Sequence, residues 1–176
     1  FNLAIMAGPD IDYVKVKVEN ETWILAKALV GVFLGTHDIK YEIIEEFKGE
    51  ELDGLKYSHP FADELKKHHE QLDSKRAFSV ILSADHVDTS AGTGLVHCAP
   101  GCGPEDYEVG YKYGIPPFNN VSTKGVFPQD MGPFSGLTAR VDDKKFIEII
   151  KPHLVATAPI EHDYPHDWRH HEPVIF

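Results

Sequence analysis

Cysteine is scarce in this chain: two residues in 176, Cys98 and Cys102, both in one short segment. That excludes a disulfide framework and a four-cysteine zinc site, since no C-x-x-C pair is present, and it fits a reducing, cytoplasmic setting. Long apolar runs are absent too. None approaches the roughly 20 residues that a membrane span needs, so no membrane partner is expected. Positive charge is in deficit, with 17 Lys and Arg against 28 Asp and Glu and a net charge of −11. A free-standing nucleic-acid binder carries a basic face, so that class is disfavoured. A pocket that receives only the end of a nucleic acid held elsewhere is not. A basic signal-peptide start is missing from Phe1–Ala7. Asn2–Met6 instead reads as a strand, as in a segment cut from a larger protein.

What is present suffices for one domain. The chain is 42 % apolar, enough for a single core at this length. Residues 11–18 alternate Tyr13, Lys15 and Lys17 against Val14, Val16 and Val18, the pattern of a half-buried strand. Asn20 reads as a turn before a second strand at Thr22–Leu25, and Ala26–Leu34 as a short helix stopped by Gly35. Lys40–Lys48 reads as a strand with Tyr41, Ile43 and Ile44 as its apolar part. The polar stretch Asp63–Asp73 reads as a solvated loop or helix, with His68 and His69 on the surface. Ala77–Ala84 and Gly94–Ala99 read as strands, Pro104–Tyr113 and Asp142–Lys151 as helices, and Leu154–Ile160 as a last strand. Pro104 suits the first helical position, and Glu105 and Asp106 suit the first turn. Short strands with a few helices between them make the fold class α+β. Spacing alone leaves open whether the sheet closes.

The informative run is Gly92-Thr93-Gly94-Leu95-Val96-His97-Cys98-Ala99-Pro100-Gly101-Cys102-Gly103-Pro104-Glu105-Asp106-Tyr107. Read physically, it is a glycine turn, a strand, a second glycine turn and a helix start. Val96 and Cys98 share one strand face; Leu95, His97 and Ala99 share the other. Glycines at Gly92 and Gly94 permit a close approach to the backbone. His97 can exchange a proton near neutral pH, and ionised Asp106 can hold an ammonium group. The bland alternative is a hydrogen-bonded core histidine and an aspartate that merely complements a helix dipole.

This run resembles the G-T-G-x-V-H-x-A-P-x-x-G-x-x-D-[FY] signature of isoleucyl-tRNA synthetase editing domains. Leucyl and valyl relatives share G-T-G but differ at His-x-Ala-Pro. Asn2-Leu3-Ala4-Ile5 with Pro9-Asp10 and Tyr13-Val14 is similar to the family's N-L-A-I-x-x-x-P-D-x-x-Y-V segment. Lys112-Tyr113-Gly114-Ile115-Pro116 and the closing Tyr164-Pro165-His166-Asp167-Trp168-Arg169 to Phe176 also match in order. The resemblance implies a β-barrel-like editing domain over residues 1–161, with a few flanking helices, and an exit linker at 162–176 leading to the catalytic domain. It implies hydrolysis of valine misattached to isoleucine tRNA, and possible action on valyl-adenylate. A pocket cannot strongly reject a substrate one methylene smaller; for this enzyme type the known discrimination by binding is about 150-fold, which is why a second site exists.

Carried over residue by residue, the resemblance makes His97 and Asp106 the catalytic pair. His97 places the ester and the attacking water, and Asp106 holds the α-amino group of the misattached amino acid. Gly92, Thr93 and Gly94, with Asp106, are implied as substrate-binding. No G-x-S-x-G elbow is present, so direct attack by water is expected rather than a serine nucleophile. The family's threonine-rich strand, which precedes N-L-A-I, lies before Phe1. The expected partners are the 3′ end of misacylated tRNA(Ile) and the catalytic domain of the same synthetase, with a monomer and no cofactor. Two rivals stand beside this reading. One is an inactive insertion that only docks tRNA. The other is a metal module built on His162, His166, His170 and His171 with Asp163 and Asp167. Pro165 interrupts a helix there and no H-E-x-x-H order exists, so a charged linker without metal is the expectation.

Overall fold

A computed structural model describes residues 2–36 and 38–153 of the chain. The expected strand at 154–160 and the histidine-rich stretch at 162–176 lie outside the described residues.

Two three-stranded sheets form the frame. In the first, β1 (Ala4–Ala7) lies between β5 (Ser79–Leu82), which runs parallel to it, and β6 (Leu95–Cys98), which runs antiparallel. Its four-residue strands are mostly apolar, and apolar residues pack on both faces. Ala4, Met6, Ile81 and Cys98 pack on one side with Val109 and Ile115, which come from and follow helix α3 (Pro104–Lys112). Ala7, Val80, Leu82 and Leu95 pack on the other side with Tyr13, Ala26 and Leu29. In the second sheet, β2 (Asp12–Val18) lies between β3 (Glu21–Ala26) and β4 (Glu42–Lys48), both antiparallel to it. Val14, Val16, Val18 and Leu25 bury against Val30 and Leu34 of α1 (Val30–Thr36). The α+β class holds, and among the described residues the two sheets do not close into a barrel.

The alternation expected at 11–18 is borne out, with one difference: Tyr13 is fully buried although it shares a face with Lys15 and Lys17. The first sheet covers that end of β2 and leaves the rest of the face to solvent. The short helix ahead of Gly35 is present as a 3-10 turn at Lys27–Leu29 followed by α1, but Gly35 lies inside α1 rather than ending it.

Two expectations are corrected. Tyr41, Ile43 and Ile44, expected as the apolar part of the 40–48 strand, are exposed. β4 is an edge strand with no layer over it, and a bulge between Lys15 and Val16 of β2 breaks the register there. Only Phe47 packs inward, stacked at 6.4 Å on Tyr13. His68, expected on the surface, is 2 % exposed. It sits in the one-turn helix α2 (Lys66–His69), with its ring 4.7 Å from that of Phe118 and its Nδ1 3.2 Å from Asp130 Oδ1. Polarity averaged over 63–73 concealed one inward position. That nitrogen is close to the carboxylate but poorly aligned, so neither ring nitrogen makes a well-formed hydrogen bond among the described residues. The remaining helix, α4 (Asp143–Ile150), sets Phe146, Ile149 and Ile150 against Phe61, Leu65, Met131 and Phe134.

Candidate functional site

The site is built where β6 runs into α3. β6 is held to β1 with Ile5 opposite His97 and Ala4 opposite Cys98. The turn after it closes through Cys102 N–H donating to the Ala99 carbonyl at 2.8 Å. Gly103 is the extended residue before the helix, and Pro104 takes the first turn, where a missing N–H costs nothing. Asp106 then reaches back to the strand end: its Oδ2 accepts the Ala99 N–H at 3.1 Å. No described residue donates to Oδ1.

His97 is half-buried on the sheet face opposite the one that α3 covers. It nevertheless feels the Asp106 carboxylate, because Asp106 sits at the end of β6 rather than over its face. Burial lowers the His97 pKa below its usual value, and the Asp106 charge opposes that shift only in part. The neutral ring is therefore favoured around pH 7. Its Nδ1 lies 3.1 Å from Asn2 Nδ2. The same Asn2 nitrogen donates to the Ala4 carbonyl at 2.7 Å, and Asn2 Oδ1 accepts from the Tyr57 hydroxyl. An amide nitrogen only donates, so His97 Nδ1 accepts and the ring proton resides on Nε2. Cys98, next in the strand, points into the core, and burial pushes its thiol up to about 12. It has no nucleophilic character at neutral pH.

The G-T-G turn has a clear packing role. Gly92 and Gly94 have φ of +70° and +73°. A Cβ on Gly94 would lie 2.4 Å from the Ala26 Cβ, whereas one on Gly92 would meet nothing within 4 Å. The Thr93 carbonyl accepts the Ala26 N–H at 2.8 Å, and the Gly94 carbonyl accepts the Tyr13 hydroxyl at 2.5 Å. A cleft of about 320 Å³ opens between α1 and residues 89–92, with Gly92 on its wall. A second cavity, about 20 Å³ and lined by Asn2, His59, His68, His69 and Phe118 among others, has room for a single water. Neither is lined by His97 or Asp106. His97 and Asp106 are the candidates the sequence motif supplies; Tyr57, from a stretch with no periodic signal, is outside it, and Asn2 stands out only as part of a motif.

No family model matches the chain. The fold is similar to the crystal structure of GlLeuRS-CP1, at a TM-score of 0.60 and 16 % identity, over 90 % of this chain and 79 % of that one. The fold is thus that of a CP1 insertion of a tRNA synthetase. Over 99 % of its length the chain is 46 % identical to an isoleucine–tRNA ligase of Pyrococcus abyssi and 47 % identical to that of Pyrococcus horikoshii. It is 40 % identical to that of Methanocaldococcus jannaschii. The chain belongs with the isoleucine–tRNA ligases, as the counterpart of their CP1 region. It spans 17 % of the Pyrococcus enzymes and 18 % of the Methanocaldococcus one. Among the described residues, no helix is long and apolar enough to cross a membrane, and no group of three potential ligands could hold a metal ion.

Proposed function

We propose that this chain hydrolyses valine misattached to tRNA(Ile), by direct attack of water on the ester carbonyl. The observation that carries the proposal is the hydrogen bond that brings the Asp106 carboxylate back onto the Ala99 N–H, two residues beyond His97 at the end of β6. Asp106 Oδ1 accepts the α-ammonium of the misattached amino acid. That contact fixes the ester relative to the strand, and orientation supplies a large part of such catalysis. His97, neutral and carrying its proton on Nε2, donates a hydrogen bond at the reacting ester without adding a second positive charge beside the ammonium. Water adds to the carbonyl carbon, the ribose oxygen leaves with a proton, and free valine and tRNA result. Gly92, Thr93 and Gly94 enter as the turn that carries β6, with Gly92 at the adjoining cleft. The catalytic domain of the same synthetase and the tRNA 3′ end are the proposed partners, and a net charge of −11 leaves most of the grip on tRNA to the rest of the enzyme.

The test uses Asp106→Ala and Asp106→Asn in the full-length synthetase. Loss of one charge-assisted contact costs about 1.5–3 kcal/mol, roughly a ten- to hundredfold drop in valyl-tRNA hydrolysis, with isoleucine activation intact. Asn keeps an acceptor for the Ala99 N–H, so the strand-end turn survives while the charge is removed. Hydrolysis at the parent rate in both variants would reduce Asp106 to a helix-end residue. It would favour the docking-only reading.

A further inference from the structure

Tyr57 lies 40 residues from His97 in sequence and on a different element, yet it ends a hydrogen-bonded chain that leads to the His97 ring. Its backbone is fixed first. The Tyr57 N–H donates to the Phe78 carbonyl at 3.1 Å, beside a bridge that pairs Lys56 with Ser79 of β5. Its ring packs edge-on against Phe78 at 6.2 Å. With backbone and ring held, the hydroxyl has one described partner, Asn2 Oδ1. The orientation of the Asn2 amide is then set from two sides. The Ala4 carbonyl requires a donor, which Nδ2 supplies at 2.7 Å. The Tyr57 hydroxyl donates to the oxygen on the other side. The second Nδ2 proton is thereby turned toward His97 Nδ1 at 3.1 Å.

Resting on the function proposed above, we infer that Tyr57 is a positioning residue for hydrolysis. Acting through the Asn2 amide, it holds His97 as the neutral tautomer with its proton on Nε2. Without the Tyr57 hydroxyl, the Ala4 carbonyl alone holds the Asn2 amide, and the turned amide, which offers its oxygen to Nδ1, gains population. That admits the opposite tautomer and the protonated ring. Burial keeps the phenol well above its usual pKa, so Tyr57 remains a donor over the whole working range. Among the described residues, the charge felt at the His97 ring is the Asp106 carboxylate, from α3. Tyr57 adds no second charge. Its effect is one of hydrogen-bond direction.

The sign of the pH effect follows. Burial holds the His97 pKa below its usual 6.5, and a donor held at Nδ1 opposes protonation there as well. Freed from it, the ring protonates at higher pH, and an imidazolium repels the substrate ammonium that Asp106 holds. The acid limb of the hydrolysis profile should therefore move to higher pH in Tyr57→Phe, a variant that keeps the ring packing on Phe78.

The experiment has two arms. Long-range 1H–15N spectra of histidine-labelled chain report the tautomer directly. In the parent, His97 should show a bare Nδ1 and a protonated Nε2; in Tyr57→Phe the Nδ1–H form should appear. In the full-length synthetase, Tyr57→Phe should lower kcat for valyl-tRNA hydrolysis roughly two- to tenfold, the range for one neutral hydrogen bond. KM should stay near the parent value. Asn2→Asp, which offers Nδ1 only acceptors, should move the acid limb further in the same direction without touching the Tyr57 packing. A parent spectrum with Nδ1 protonated overturns the inference. So does a Tyr57→Phe enzyme whose tautomer and acid limb are those of the parent, even if kcat falls. If both variants shift the tautomer while hydrolysis and its pH profile stay put, Tyr57 does set the ring. His97 then has no place in the reaction, and it is the proposed function that fails.

Discussion

The two glycines of the G-T-G turn form a matched pair that separates packing from substrate contact. Both have positive φ, +70° at Gly92 and +73° at Gly94. An alanine at either position must occupy the left-handed region, at about 1–2 kcal/mol. There the likeness ends. At Gly92 the new methyl meets nothing within 4 Å, so Gly92→Ala should cost about that amount and no more. At Gly94 the methyl would lie 2.4 Å from the Ala26 Cβ and 3.5 Å from its Cα. Carbon contacts are comfortable at about 3.5–4.0 Å, so one strand must move by roughly 1 Å. Ala26 is tied to the turn through its N–H to the Thr93 carbonyl, and the Gly94 carbonyl is tied to Tyr13. The displacement cannot be absorbed locally. Overpacking of this kind costs about 1–3 kcal/mol, which puts Gly94→Ala at roughly 2–5 kcal/mol in total. That is a large share of the roughly 5–15 kcal/mol that stabilises a domain of this kind.

Urea unfolding of the chain with each variant provides the assay, read as the shift in midpoint at constant slope. Gly94→Ala should be the more destabilised of the two by about 1–3 kcal/mol. Equal midpoints would show that β3 and the turn are not in the contact described, and the packing account of Gly94 would be wrong. Valyl-tRNA hydrolysis on the same pair, in the full-length synthetase, asks the other question. If Gly92→Ala is stable but slow, then the open side of the turn, at the cleft, is where the substrate lies.

Further expectations follow from the same geometry. Burial first, then the nearby His69, lowers the His59 pKa from 6.5 to about 4, so the folded chain binds fewer protons there than the unfolded chain does. Its contribution is present above pH 6.5 and is lost as pH falls toward 4. Melting temperatures of His59→Gln should therefore fall less steeply across that window than those of the parent; parallel curves would refute this. Cys102 is exposed and Cys98 buried, so iodoacetamide should modify Cys102 first and reach Cys98 only at the rate of unfolding. Comparable rates in the native chain would mean that β6 opens readily. Phe61 packs edge-on against Phe134 at 5.0 Å within a small cluster, and Phe61→Ala should cost about 3–5 kcal/mol in urea unfolding. A loss below about 1 kcal/mol, less than ordinary truncation of a buried ring, would show that the cluster under α4 is not formed.

Much of the frame was legible because it depends on local pattern. The alternation of residues 11–18, the Pro104 start of α3 and the apolar run at 79–82 each report a period or a cap that a short window contains. Layering was not legible. Nothing in 40–48 says that β4 has no neighbour on its outer edge, so Ile43 and Ile44 read as core when they are exposed. Nothing near Tyr13 says that a second sheet covers one end of β2. His68 shows the same limit in reverse, since a single inward residue in a polar stretch leaves no periodic trace.

The candidate site divides along the same line. His97 and Asp106 were legible because the strand, turn and helix that carry them are consecutive, and a motif spans them. Yet alternation by itself would mislead about how they meet. His97 lies on one face of the first sheet while α3 covers the other, so a helix packed squarely over β6 would keep the pair apart. They converge because α3 begins beyond the strand end, and Asp106 binds the Ala99 N–H there, just past the last residue of β6. The same strand end faces Asn2, the residue leading into β1, and through it Tyr57. Three segments distant in sequence thus meet at one corner of a three-stranded sheet. The corner is partly open, so His97 stays half-buried, and burial holds its pKa below the usual value. A histidine at the register of Leu95, two residues earlier on the same face, would face the apolar cluster shared with Tyr13 and Leu29 and pair with Ala7 rather than meet Asn2.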